Sequence, residues 1–160
     1  MNAGALALAR ALHVLAVVIW IGGVGFVTAV LLPALRSVEN PLQRAELFEK
    51  LEGRFSWIAR GAVLLVGASG FYMLQAFDLW DRFSNAAYWW MHAMVAVWVI
   101  FAIMLFVAEP LFLHRWFARR LRERPDAFVL IARAHWFLLT ISLLTIAGAV
   151  AGAHGIDRWF

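Results

Sequence analysis

With no cysteine among 160 residues, the chain has no thiolate ligand, disulfide or thiol nucleophile, and its chemistry rests on imidazole, thioether and carboxylate groups. His92 lies in the stretch WWMHAM (residues 89–94), between Met91 and Met94 and behind Trp89 and Trp90. Imidazole together with thioether suits copper, above all Cu(I). Two neutral imidazoles facing one another suit the axial ligation of a b-type haem. His13 is the partner for that second chemistry. Arg10, three residues earlier on the same helical face, is placed to meet a haem propionate. Met73 adds a third thioether in another apolar stretch, and His154, His114 and His135 complete the histidines.

The elements that must position these residues are long and apolar. Hydrophobic residues make up 64 % of the chain and charged residues 15 %. Crossing a hydrocarbon core of ~30 Å takes ~20 mostly apolar residues. The segments 6–35, 57–79, 87–113 and 128–153 each meet that requirement. The expected fold is therefore all-α, a single-domain integral membrane four-helix bundle of up-down topology over residues 1–160. Its first segment is too long for a cleavable signal, whose apolar region runs to ~7–15 residues.

The charges give the orientation. Arg36, Arg44, Lys50, Arg54 and Arg60 follow the first segment, and Arg115, Arg119, Arg120, Arg122 and Arg124 follow the third. The other side carries only Arg10, Arg82 and Arg158. The positive-inside rule then puts both basic connections in the cytoplasm and both termini on the periplasmic side of a bacterial inner membrane. Trp57 and Trp116 mark one interface, and Trp80, Trp89, Trp90 and Trp159 the other. The net charge of +4 comes from these flanks, so it sets topology and does not point to nucleic acid. The lipid bilayer is the expected partner.

Within the first basic connection, Asn40 is an N-cap and Pro41 a first helical residue. They open an amphipathic interfacial helix over 41–55, with Leu42, Leu47 and Leu51 on one face, running into the second span. Gly148 and Gly152 form a GxxxG in the fourth, which indicates close helix contact and not chemistry.

At ~1.5 Å of rise per residue, His13 and His92 each lie ~12–14 Å outward of the middle of their spans. The first and third helices of a cyclic up-down bundle face one another diagonally. A lone intramembrane histidine ordinarily just bridges helices, and the matched depth is what separates this pair from that case. Met73, Met91 and Met94 taken singly read as core filler. His154, beside Gly155 and near Asp157, reads as interfacial. The cytoplasmic half holds a second set: Arg60, Glu109, His114, Arg133 and His135. The depths of His114 and His135 match poorly, and Glu109, next to Pro110, is expected to pair with Arg60 or Arg133 because a buried charge needs a partner.

Several stretches resemble the CopD-like and HemJ-like four-helix membrane proteins. ALHVLAVVIWIGGVGF followed by LLP resembles their first helix, with its His and then Trp. RFSWIARGAVLLVGASGFYML is similar to the CopD-type start of the second helix, and WWMHAMVAVWVIF to the HemJ-type WLHAK pattern of the third. The likeness spans about Ala11 to Arg115. It implies that His13, His92 and Trp20 sit at a cofactor, with His13 implicated in haem binding and porphyrin oxidation. Met94 stands where the third-helix motif has lysine, and the fourth helix lacks an Asn-Glu-x-Pro start. Both departures lead away from porphyrin oxidation.

The function expected first is thus a membrane b-type haem protein, with one haem between His13 and His92, exchanging electrons with quinol or a periplasmic redox partner. Gly70, Ala87, Ala93 and Ala96 leave room for the planar group. The alternative is copper handling, with His13, His92, Met91, Met94 and Met73 as ligands and a periplasmic copper protein as partner. Met104 is the only further stepping stone at mid-depth, which weighs against a permeation path. A HemJ-like oxidoreductase acting on a porphyrin and an accessory subunit are the remaining alternatives. A homo-oligomer or a larger membrane complex is compatible with each.

Overall fold

The computed structural model describes residues 3–113 and 127–154, and among them every regular element is helical. Four helices are long and apolar enough to cross a membrane, so the chain is an all-α, multi-pass membrane bundle. Helix α1 comprises Ala3–Phe26, a π-helical stretch Val27–Leu31, and Leu32–Arg36. Helix α2 is Pro41–Ala76, and α3 comprises Trp89–Ile103 and the π-helical Met104–Leu113. Helix α4 is Ala127–Ala153. His114, Arg115–Arg124, Trp116, Arg158 and Trp159 lie outside the described residues.

The local signals explain the helix ends. The Asn40 side chain accepts from the amides of Leu42 and Gln43 at 2.9 and 3.3 Å, and Pro41 follows at a position that needs no donor. The interfacial helix expected over 41–55 and the span expected over 57–79 are one unbroken helix. Leu42 and Leu51 face outward, while Ala45 and Phe48 turn into the bundle. The helix stops at Ala76, three residues short of the expected 79. There Asp78 takes a left-handed φ of 50°, Leu79 N–H donates to Leu74 O, and Asp78 N–H to Gln75 O. That pairing is a Schellman end with aspartate in place of glycine. Two short 3₁₀ turns, Trp80–Ser84 and Ala86–Tyr88, lead into α3.

Successive helices run antiparallel and close a ring in chain order, with α1 packed most closely on α2 and α3 on α4. Across the diagonal, Trp20 of α1 meets Phe101 of α3 edge-to-face at 4.9 Å. This is the α1–α3 opposition expected of a cyclic bundle. One core surrounds that contact (Ala16, Val24, Ala59, Val63, Val66, Leu138, Leu139); a second, at the basic end, joins Leu31, Leu35, Phe48, Phe128 and Ile131. Val18, Phe26, Leu64, Phe71, Leu143 and Leu144 point outward, as a lipid-facing surface requires.

Lipid is as apolar as leucine, so packing here depends on close approach and interhelical hydrogen bonds. The GxxxG of α4 supplies the approach: Gly148 lies under the ring of Trp89, and Gly152 under the pyrrole edge of Trp90. A corresponding seat on α2, Gly67, takes Trp98, whose indole N–H donates to Val63 O at 2.8 Å. Trp90 is consequently not part of an interfacial belt. It is 8 % exposed, whereas Trp89 is 54 % exposed and keeps the belt position.

Candidate functional site

His13 is set by α2. Its Nδ1 lies 3.0 Å from Ser69 Oγ, and that hydroxyl gives its own hydrogen to Leu65 O at 2.5 Å. The serine therefore accepts from His13, which fixes Nδ1 as the protonated nitrogen and leaves the Nε2 lone pair as the ligating one. Gly70 lies against the same ring; a methyl there would stand 3.3 Å from His13 Cε1. One and two turns beyond Ser69 on the α2 face come Met73, half-buried, and Phe77, over whose ring Arg10 is placed at 5.8 Å. Arg10, His13 and Met73 thus share one antiparallel seam at the terminal end of the bundle.

His92 belongs to a different structure. It is exposed, its Nε2 lies 3.1 Å from Phe83 O, and its ring stands edge-to-face to Phe83 at 5.3 Å. A carbonyl only accepts, so Nε2–H donates and this nitrogen is occupied. The side chain ties the Trp80–Ser84 turn to the first turn of α3. The pairing of His13 with His92 is not assembled: one ring is held on α2 and the other on the loop. Matched depth along the helices did not determine rotation about them. Met94 follows His92 by two residues, ~200° around the helix, so the two do not converge on one ion. Met91 is buried and Met94 half-buried. His154 is exposed at the end of α4, with Nδ1 donating to Val150 O at 2.7 Å. Among the described residues no three of His, Asp and Glu gather as a metal site.

A second polar site lies in the half of the bundle nearest the basic loops. Glu109, 8 % exposed, accepts from Ser56 Oγ at 2.7 and 2.6 Å and pairs with Arg60 Nη2 at 3.4 Å. Of the two partners expected for Glu109, Arg60 is the one found, and Arg133 is exposed. Arg60 also stacks on Trp57 at 4.6 Å and donates from Nε to Leu105 O at 3.0 Å. The last bond follows from backbone chemistry. In a π-helix each amide donates five residues back, and Pro110 has no amide, so Leu105 is the carbonyl left without its donor.

Beside this cluster is a cavity of about 50 Å³ lined by Trp20, Glu52, Ser56, Met104 and His135, among others. His135 Nδ1 donates to Ile131 O at 3.0 Å. Trp20, expected at a cofactor near His13, sits here instead, 3 % exposed and seven residues further along α1. Glu52 and Ser56 do not stand out in the sequence as site residues. Their signal is the inward stripe Ala45, Phe48, Glu52, Ser56, Ala59 on α2, in which the glutamate interrupts an otherwise uncharged face. No family model, curated protein or solved structure matches the chain.

Proposed function

We propose that the chain is a membrane redox protein that carries a b-type haem at the terminal end of the α1–α2 seam, with His13 as its protein ligand. The observation that supports this is the fixed His13 tautomer: Nδ1–H is engaged by Ser69 and Nε2 is available, with the ring seated against Gly70. His13 fits the group, and Arg10 on the same seam suits a propionate. His92 as placed offers only Nδ1, because its Nε2–H is given to Phe83 O. The haem would supply one-electron chemistry. The protein's part is to hold the imidazole in one tautomer, fill the surroundings with apolar side chains and keep the site near the membrane face. By the positive-inside rule that face is the periplasmic side of a bacterial inner membrane, where quinol or a periplasmic redox protein is the electron partner.

The test is the optical spectrum of the purified, detergent-solubilised protein. A Soret band with reduced α and β bands is expected, lost in His13→Ala and retained in His92→Ala. Loss in both variants would restore the two-histidine arrangement, and absence of the band from the parent protein would reject haem. One observation favours a second reading: Met73 shares the seam with His13, and imidazole with thioether suits Cu(I). Stoichiometric copper without a Soret band, lost in Met73→Leu, would identify it.

A further inference from the structure

We propose that the cavity at the basic end of the bundle is a hydrated proton-exchange site, in which water joins the Glu52 carboxylate to Nε2 of His135 beneath the indole N–H of Trp20. This site is independent of any group held at His13. Three observations carry it. The cavity measures about 50 Å³, and one buried water needs ~10–15 Å³ of such space, so a short chain of about three fits. Its polar lining is unevenly satisfied. Ser56 is committed to Glu109, and Glu109 to Arg60. The indole N–H of Trp20 is buried with no hydrogen-bond partner among the described residues. His135 gives its Nδ1 hydrogen to Ile131 O, which leaves Nε2 as an acceptor. Glu52 brings carboxylate oxygens for which the described residues provide no hydrogen bond. One donor and two acceptors are what a single water completes, accepting from Trp20 and donating to Glu52 and His135.

The backbone also makes room at this place. Both π-helical stretches border the cavity, through Val27 of α1 and through Met104 and Leu105 of α3. Such widened turns recur at functional sites. Glu52 is half-buried, between the exposed Lys50 and Arg54 of the basic end, and Trp20 is buried within the bundle. The charged and titratable groups around Glu52 are Glu49 and Arg60 on its own helix, Glu109 on α3 and His135 on α4. Between Arg10 and Arg36, α1 contributes none except His13 near the opposite end.

The transfer involves no electrons. A proton arriving on Glu52 leaves its carboxyl oxygen for a water, and that water's own hydrogen forms the Nε2–H bond of His135. The product is an imidazolium whose Nδ1–H remains on Ile131 O, and the reverse sequence returns the proton.

The experiment is a pH-difference infrared spectrum of the full chain in lipid nanodiscs, recorded in H₂O and D₂O. One protonated-carboxyl C=O band is expected, downshifted in D₂O, lost in Glu52→Gln and displaced in both Trp20→Phe and His135→Leu. Survival of the band in Glu52→Gln overturns the proposal. So does a Glu52 band that neither Trp20→Phe nor His135→Leu moves, since the three groups then share no water. If a core variant folds poorly, the parent protein in H₂¹⁸O decides. A weakly bonded water O–H band that shifts with the isotope supports the site, and a difference spectrum without one overturns it.

Discussion

His13 and His92 show how much one hydrogen bond decides about a ligand. Both stand on apolar helices, and both have one nitrogen engaged, but the engaged atoms differ: Nδ1 on Ser69 in one, Nε2 on Phe83 O in the other. Only the first leaves the outer nitrogen ready to bind. Residue identity and helical rise were legible in the sequence, whereas the rotation of His92 was not, because it depends on where the Trp80–Ser84 turn delivers a carbonyl. The glycines of α4 show the converse. GxxxG announced close contact, and the structure adds the occupant, the pyrrole edge of Trp90 over Gly152. A Cβ at Gly152 overlaps the Trp90 indole, and crowding of this kind costs about 1–3 kcal/mol. Gly152→Ala is therefore expected to lower the unfolding midpoint of the purified protein in a denaturing-detergent titration. Trp90→Phe in the same chain, which removes the pyrrole edge, is expected to recover part of the loss. Equal losses in the presence and absence of the indole would show that the seat does not matter.

At the scale of the element, α2 was legible at its start and obscured in its middle. Asn40–Pro41 is a start signal that needs no tertiary context, and the cap forms as the sequence indicates. Asn40→Ala is expected to cost about 1 kcal/mol, and to raise hydrogen exchange selectively at the amides of Leu42 and Gln43, with the distant amides of α4 unaffected. A uniform rise through the bundle would contradict a local cap. Further along, Glu52 sits among Glu46, Glu49, Lys50 and Arg54 and reads as one more charge of a polar segment. Only the inward stripe distinguishes it, and the cavity that gives it meaning forms where α1, α3 and α4 meet. Pro110 is a similar case. The sequence showed a proline beside Glu109, but the use of the released Leu105 carbonyl by Arg60 depends on the register of α2 against α3.

For the whole molecule, the ring order of the helices and the charge asymmetry meet in one expectation. The Ser37 connection and the Lys50–Arg54 segment with Glu52 lie at one end; Arg10, His13, the Trp80–Ser84 turn and His92 lie at the other. If the basic end faces the cytoplasm, the His13 seam lies toward the periplasm and Glu52 toward the cytoplasm, so the proposed haem site and the proposed proton-exchange site lie near opposite faces. The absence of native cysteine makes this orientation directly measurable. Ser37 and Ser84 are both exposed and occupy opposite ends of the bundle. With a membrane-impermeant maleimide on intact cells whose outer envelope is permeabilised, Ser84→Cys is expected to label at once. Ser37→Cys should label only after the inner membrane is lysed. Labelling in the reverse order would invert the chain, placing the His13 seam near the cytoplasmic face and Glu52 near the outer one. Labelling of both before lysis would show that the four helices do not form a single up-down crossing.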